Sequence, residues 1–202
     1  DGRVYVGSMD HHLYCLDAET GKVLWDYQAG GAFAVQPVLN ISNDTLYAGA
    51  FDGRLYAVNA DSGQPVDGFE FRADNWIWSE TLRADDLLYV TALDGNLYAL
   101  DPANASVVAP YPIDRGSPLR AAPVRSGNSV VVASQEGVVT SYALATSQTL
   151  WQWPSGTPEA EILTTPVATE SNVYVIQMNG QVYALAAESG AEVWDFVPPQ
   201  PD

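Results

Sequence analysis

The sequence predicts an all-β protein, a β-propeller of about five four-stranded antiparallel blades. A segment of alternating apolar residues and tight-turn residues recurs along the chain, and no segment shows the 3.6-residue periodicity of a helix. Each unit contains an acidic or amide turn residue: Asp10, Asp52, Asp94, Glu136 and Asn179. These turns are 42, 42, 42 and 43 residues apart, and so constant a period indicates repeated structural units.

Each unit has the same order of strands and turns. A β-rich run such as residues 46–51 precedes an Asp-Gly or Asn-Gly pair, which readily adopts the positive φ angles of a tight hairpin. A second run such as residues 54–59 follows, then a turn such as residues 18–21 and a further run such as residues 22–27. The remaining strand is short and has a proline-valine pair. This pair is Pro37-Val38, Pro123-Val124 and Pro166-Val167 in three units, with Ser79 in the proline position of another. Four short strands in about 42 residues match the size of one propeller blade.

We expect one array of repeats over residues 1–202. The approximate units are 1–39, 40–81, 82–124, 125–167 and 168–202. The first unit begins at its second strand, and the proline-rich residues 197–202 cannot form a central strand. The array is therefore either five blades that close with an incomplete seam or part of a larger propeller. We favour part of a larger propeller, or a ring that a partner completes. An open arc would expose strand edges and interblade faces and invite self-association.

The composition narrows the classes of partner. The chain has 25 acidic and 8 basic residues, a net charge of −17. Such a surface repels phosphate groups, so we expect neither nucleic-acid binding nor binding to anionic membranes. No apolar run approaches the roughly 18 residues of a membrane helix, so we expect no direct membrane insertion. Lys22 is the only lysine. Strong acidity with so little lysine suits a salty or extracellular setting, or serves ordinary solubility.

Two segments share a longer pattern. Residues 13–25 read LYCLDAETGKVLW and residues 182–194 read VYALAAESGAEVW. This pattern resembles the PQQ-like repeat, also called the tryptophan-docking repeat, and the resemblance covers essentially the whole chain. It implies that the repeat tryptophan packs against the neighbouring blade and joins the two blades.

The resemblance assigns this docking role to Trp25, Trp151 and Trp194. The middle units depart from the pattern, because one period after Trp25 come Asp67 and then Ala109. We therefore expect those two interfaces to be packed differently, and the region to be either looser or functional.

The same resemblance suggests a function. Relatives include a propeller lipoprotein of the outer-membrane protein assembly machinery, sensor domains of membrane-anchored kinases, and quinoprotein dehydrogenases. It implies a periplasmic, cell-surface or secreted module that presents loops and channel mouths to protein partners, with no catalytic residue, metal or cofactor. The alternatives are a fragment of a PQQ-dependent dehydrogenase, a ligand-sensing domain of a membrane-anchored kinase, and a purely architectural role. The dehydrogenase reading implies a quinone, a calcium site and often a vicinal cysteine pair, whereas Cys15 is the single cysteine and is expected in the core.

A candidate binding surface lies in the segment from Arg72 to Trp78, which we map to an inner strand and the loop that leads into it. Trp76 and Trp78 are two residues apart and would share one face of a strand. Together with Arg72, Arg115 and Arg120 they could form a partner site, because tryptophan and arginine are enriched at interface hot spots. The alternative is that the two tryptophans fill the gap left by the missing docking tryptophans.

Other candidate sites have structural explanations. His11 and His12 are the only histidines and lie in a hairpin turn, where a metal would need further ligands. The recurring acidic turns hold one oxygen ligand each, so we interpret them as hairpin turns rather than calcium loops. Three glycosylation sequons fall at predicted turns and would suit an exported protein. They begin at Asn40, Asn43 and Asn104.

Overall fold

The computed structural model describes residues 2–40, 42 and 44–199, and these residues form nineteen strands in five antiparallel sheets. The first sheet contains β1 (Arg3–Gly7), β2 (His12–Asp17) and β3 (Val23–Gln28). The second contains β4 (Val38–Asn40), β5 (Thr45–Gly49), β6 (Arg54–Asn59) and β7 (Phe71–Arg72). The third contains β8 (Leu82–Ala84), β9 (Leu87–Thr91), β10 (Asn96–Leu100) and β11 (Ile113–Asp114). The fourth contains β12 (Val124–Ser126), β13 (Ser129–Ala133), β14 (Val139–Ala143) and β15 (Thr149–Trp153). The fifth contains β16 (Val167–Ala168), β17 (Asn172–Ile176), β18 (Val182–Ala186) and β19 (Glu192–Phe196).

The short first strand of each four-stranded sheet is its inner strand. Strand β12 lies against both β8 and β16, so the inner strands of successive sheets are neighbours. Among the described residues the first sheet has three strands, which correspond to the second, third and fourth strands of the other sheets. The prediction of an all-β propeller is confirmed, and the sheets form an open arc. No helix among the described residues is long and apolar enough to cross a membrane.

In four of the five units the acidic or amide turn residue holds the hairpin between the second and third strands, whereas in the fourth unit the Val138 N–H donates to Ser134 Oγ at 3.2 Å. The side-chain oxygen of Asp52 accepts a hydrogen bond from the Arg54 N–H at 3.1 Å, and Asp10, Asp94 and Asn179 do the same for the residue two positions later. Glycine follows at φ values such as +81° for Gly53, a conformation that costs most other residues energy. His11 takes the glycine position of the first hairpin, with φ of 74°.

The hydrophobic core lies between the sheets rather than within one central cluster. Four groups of buried residues occur, one at each of the four interfaces between neighbouring sheets. The middle strands β5, β9 and β13 are buried over almost their whole length, because both faces of these sheets are covered. One buried apolar residue from each loop that joins two sheets completes these groups. These are Phe33, Ile77, Leu119 and Ile162, each at most 1% exposed.

Two of the three docking tryptophans contact the next sheet. Trp25 Nε1 donates a hydrogen bond to the carbonyl of Ala60 at 3.0 Å, and Trp151 Nε1 donates to the carbonyl of Ala187 at 2.8 Å. Trp194 belongs to the last sheet and is 44% exposed, and its ring contacts Tyr174 of its own sheet at 5.9 Å.

At the two middle interfaces, aromatic residues fill the place of the docking tryptophan. They are not the residues that a count of repeat periods from Trp25 gives. The Leu55–Phe71 pair of the second sheet corresponds to the Leu13–Tyr27 pair of the first sheet. Between the two members of this pair, the second unit has two more residues than the first. The aromatic residue at the docking place is therefore Phe69, not Asp67. Phe69 is 9% exposed and its ring lies 5.5 Å from that of Tyr47.

The third unit follows the same rule. Tyr111, not Ala109, is the buried aromatic residue there, and its ring lies 5.9 Å from that of Tyr89. Both middle interfaces are thus packed differently, as expected, and both are filled.

Candidate functional site

One end of the arc carries two kinds of connection, the hairpin turns and the loops that lead from an outer strand to the next inner strand. The two are joined by backbone hydrogen bonds, such as Phe33 N–H to Ser8 carbonyl at 3.0 Å and Ile77 N–H to Ala50 carbonyl at 3.2 Å. We call this the hairpin end. Loops at the end of a rigid sheet array can vary without disturbing the core, so they are suited to binding.

Trp76 and Trp78 lie at the hairpin end, in the loop between β7 and β8. The expectation that they share one face of a strand was wrong, because residues 73–81 form no strand. They share a side of the chain for another reason. Ile77 between them is fully buried, and its burial leaves its two neighbours on the outside of the loop.

The two tryptophans form an aromatic cluster with Phe51, which lies in the hairpin turn between β5 and β6. The Phe51 ring centroid is 4.8 Å from Trp76 and 4.6 Å from Trp78, at interplanar angles of 12° and 24°. The two indoles are 6.2 Å apart at 23°. The three rings are therefore nearly parallel and stacked in one aromatic cluster.

Arg120 extends this cluster into the next unit. Its guanidinium carbon lies 4.3 Å from the centroid of the Trp78 ring, within the range of a cation–π contact. Arg120 follows buried Leu119 as Trp78 follows buried Ile77, so the stacked pair occupies equivalent places in successive loops. No carboxylate forms an ion pair with Arg120 in the described part of the chain, so its charge is available at the surface.

The other two predicted arginines lie outside the cluster. Arg72 is exposed at the end of β7, opposite Arg54 of β6. Arg115 lies 5.9 Å from the Tyr142 ring and donates a hydrogen bond to Gln152 Oε1 at 3.2 Å, at the interface of the third and fourth sheets. The structure thus brings together Trp76, Trp78 and Arg120 of the predicted set.

Sequence reasoning missed Phe51. One repeat period to either side, the corresponding hairpin residues are Met9 and Leu93, so an apolar residue at this place is ordinary for the repeat. Its role became visible only because the loop after β7 places two indoles over it. Trp76 is 44% exposed, whereas Phe51 and Trp78 are half-buried.

The alternative role of the two tryptophans, filling the gap of the missing docking residues, is not what the structure shows. Phe69 and Tyr111 occupy those gaps, whereas Trp76 and Trp78 contact Phe51 and Arg120 at the hairpin end.

Three of the acidic turn residues form a hydrogen-bonded latch with a tyrosine four residues later. Tyr56 donates its hydroxyl proton to Asp52 Oδ2 at 2.6 Å, and Tyr14 and Tyr98 bond Asp10 and Asp94 in the same way. Burial, together with the hydrogen bond to Asp52, raises the pKa of Tyr56 to about 12. Each of these carboxylates is therefore already hydrogen-bonded within its own hairpin.

The histidines and the described sequons have simple environments. His12 lies near two carboxylates, Asp10 and Asp26, and the described residues contain no group of three metal-ligating side chains. Asn40 is 5% exposed and accepts a hydrogen bond from the Ser42 N–H at 3.1 Å, whereas Asn104 is exposed. The Asn43 sequon lies outside the described residues.

Comparison with known proteins agrees with this architecture. The family model described as outer membrane protein assembly factor BamB matches residues 1–196. The crystal structure of BamB from Moraxella catarrhalis superposes with a TM-score of 0.79 and 17% identity, over 96% of this chain and 58% of that chain. A computationally designed protein, Ika8, superposes with a TM-score of 0.79 and 18% identity, over 97% of this chain and 59% of that one. At these identities the likeness shows the fold.

The chain spans a little under three fifths of the length of each of these two structures. A comparison with curated proteins found no match in sequence. The resemblance to the PQQ-like repeat is confirmed by the match over residues 1–196. The chain belongs to the family of the outer membrane protein assembly factor BamB, a family of PQQ-like β-propellers.

Proposed function

We propose that the chain is a non-catalytic protein-interaction module that acts outside the cytoplasm and holds a polypeptide partner on the aromatic cluster at its hairpin end. The observation that carries this proposal is the stack of Phe51, Trp76 and Trp78 with the Arg120 guanidinium at its edge. The family description, which names an assembly factor, agrees with a protein partner.

The physical argument rests on solvent exposure and charge. Trp76 exposes 44% of its surface in a stacked ring cluster, and covering such a surface removes apolar area from water. Tryptophan and arginine dominate the binding energy of many interfaces. Arg120 supplies a positive group on a chain of net charge −17, so a carboxylate or carbonyl of the partner would find a local anchor there.

One feature of the sequence supports the non-catalytic proposal over the dehydrogenase alternative, which often implies a vicinal cysteine pair. Cys15 is the only cysteine and is fully buried in β2, so a vicinal cysteine pair cannot be formed. A dye-reduction assay with added quinone, calcium and alcohols tests this alternative directly. Turnover above that of the free quinone would contradict a non-catalytic role.

The experiment that tests partner binding uses peptides selected from a random display library against the whole chain. We expect the selected peptides to bind Trp76→Ala and Arg120→Gln variants at least about tenfold more weakly, as for hot-spot residues. Val107→Ala, which removes an apolar side chain that is 40% exposed in the third unit, is the matched control and should bind normally.

The melting temperature separates binding from stability. Trp76 is 44% exposed and stacks on half-buried Phe51 outside the core groups, so Trp76→Ala should change the melting temperature little. Unchanged peptide affinity in Trp76→Ala, or a large fall in melting temperature, would overturn the proposal.

A further inference from the structure

We propose a second binding site, in the crevice between the outer parts of the fourth and fifth sheets, that takes the positively charged side chain of an arginine or lysine from a basic polypeptide segment. It involves other units than the aromatic cluster and does not depend on the function proposed above.

The crevice contains a cavity of about 130 Å³. Trp153 of β15 and Tyr183 of β18 form its aromatic part, with ring centroids 4.6 Å apart at 54°. Glu159 and Glu192 also line it, and both are exposed. Gln177 lines it as well but is only 2% exposed, so the cavity has a buried amide and exposed carboxylates.

Within the described part of the chain, the side chain of Gln177 has a buried oxygen without a hydrogen-bond partner, which favours a ligand in this cavity. Its Oε1 is buried and has no hydrogen-bond partner among the described residues, and an unsatisfied buried carbonyl is costly. The equivalent hairpin position is small elsewhere: Ser8, Ala50, Ala92 and Ser134, whose N–H groups make the same backbone hydrogen bond as Gln177. Only the fifth unit places a long hydrogen-bonding side chain here, and a donor in the cavity would satisfy it.

The electrostatics favour a cationic donor. Burial raises the pKa of Tyr183, and the negative charges of Glu159, Glu192 and Asp195 raise it further. No lysine, arginine or histidine follows Arg125 in the sequence, so residues 126–202 contain no basic side chain to neutralise these carboxylates. A cation from outside would be attracted to this half of the chain and held there.

The interface between the first and second sheets contains the equivalent of this crevice. There Tyr27 and Tyr56 form the aromatic pair, with centroids 5.8 Å apart. The Tyr56 hydroxyl is bonded to Asp52 and receives the Gly30 N–H at 2.8 Å. At this site the Tyr56 hydroxyl therefore has hydrogen-bond partners within the chain.

At the fourth and fifth sheets the polar groups are rearranged. Glu159 precedes buried Ile162 by three residues, as Gly30 precedes buried Phe33, so a carboxylate stands at the glycine's place. Asn179 stands at the place of the hairpin aspartate. At the first interface the carboxylate belongs to the hairpin and accepts a hydrogen bond from a tyrosine. At the last interface the carboxylate belongs to the loop across the crevice.

These groups together suit an organic cation of a polypeptide. Aromatic faces attract ammonium and guanidinium groups, and carboxylate and amide oxygens accept their hydrogen bonds. A neighbouring cavity of about 470 Å³ shares Trp153, Pro154 and Glu192 with the first and gives room for the peptide backbone beside the inserted side chain.

The test is a nuclear magnetic resonance titration of the whole ¹⁵N-labelled chain with the peptide acetyl-Gly-Gly-Arg-Gly-Gly-amide at physiological salt. We expect saturable shifts of the Trp153 indole N–H and of the Gln177 side-chain amide. The same peptide with citrulline in place of arginine has the same shape without the charge and should cause no such shifts.

Variants separate a defined site from diffuse attraction. Glu192→Gln removes a negative charge that attracts the cation, and Gln177→Ala, which matches Ala50 and Ala92, removes a hydrogen-bond acceptor. Each should weaken binding about fivefold or more. Glu170→Gln removes an equal charge outside the cavity and should bind normally. Equal shifts with the citrulline peptide, equal weakening by Glu170→Gln, or shifts that do not saturate would overturn the proposal.

Discussion

The indole of Trp25 lies directly over the α-carbon of Gly63 in the neighbouring sheet, so that a Cβ atom on Gly63 would come within 2.7 Å of Trp25 Cδ2 and Cε3. Gly63 has φ of +69° and closes the turn whose Ala60 carbonyl accepts the indole N–H at 3.0 Å. Trp151 and Gly190 repeat the relationship at the last interface, with a closest Cβ distance of 2.5 Å. The docking tryptophan therefore requires a glycine opposite it.

This contact predicts that Gly63→Ala destabilises the chain beyond the cost of its backbone conformation. Gly21 is the matched control, because it has φ of +68° at the equivalent turn and no atom within 4 Å of an added Cβ. We expect Gly21→Ala to cost about 1 kcal/mol for its left-handed conformation. Gly63→Ala should cost about 1–3 kcal/mol more through overpacking against Trp25. Urea unfolding of both variants measures the difference, and equal losses would show that the tryptophan contact is unimportant.

The shifted register of the second unit makes a separate prediction. Phe69→Ala should lower the free energy of unfolding by about 3–5 kcal/mol, because a buried aromatic ring at an interface is lost. Asp67→Ala changes an exposed residue and should stay within about 0.5 kcal/mol of the parent. Denaturant unfolding compares the two, and a larger effect of Asp67→Ala would restore the register obtained by counting 42 residues from Trp25.

Alkaline pH should weaken the latch of the second hairpin. The pKa of Tyr56 rises from 10.0 to about 12 in the folded chain, through burial and the Asp52 hydrogen bond. The folded state therefore holds this proton more tightly than the unfolded state. The associated stability is fully present below pH 10 and is lost as the pH rises towards about 12.

Tyr56→Phe isolates this contribution. At neutral pH the variant should be less stable than the parent, because Asp52 and the Gly30 N–H lose their partner. The difference between the two chains should shrink between pH 10 and about 12. Unfolding free energies across this range give the result, and a constant difference would contradict the coupling.

The exposed end sheets predict self-association of the 202-residue chain. Leu24 is 50% exposed on the first sheet, and Trp194 and Phe196 are 44% and 52% exposed on the last. Different apolar faces at the two ends favour head-to-tail contact. Light scattering should show a mass that rises with concentration and falls on Phe196→Ser. Val107→Ser, at a side chain that is 40% exposed in the third unit, is the control. A mass that stays that of one chain would contradict this.

Local pattern in the sequence was enough for the repeat, the hairpins and the open first sheet. Asp52-Gly53 specifies its turn through a side-chain acceptor and a positive φ, both of which depend only on residues within the turn. Alternation of side chains along a strand likewise depends on neighbours in sequence. The candidate site was predicted in part, since Trp76, Trp78 and Arg120 come together and Arg72 and Arg115 lie elsewhere.

The tertiary structure determined which side chains of neighbouring units contact each other. The two extra residues that bring Phe69 to the docking place become visible only when strand register is known, because counting a fixed period assumes that every outer strand has the same length. The stack of Phe51 with Trp76 and Trp78 depends on the path of one loop over the preceding hairpin. The sequence by itself determined the repeating strands and turns, through local conformational preference. The choice of which side chains meet across the interfaces required three-dimensional packing, because those partners are far apart in the chain.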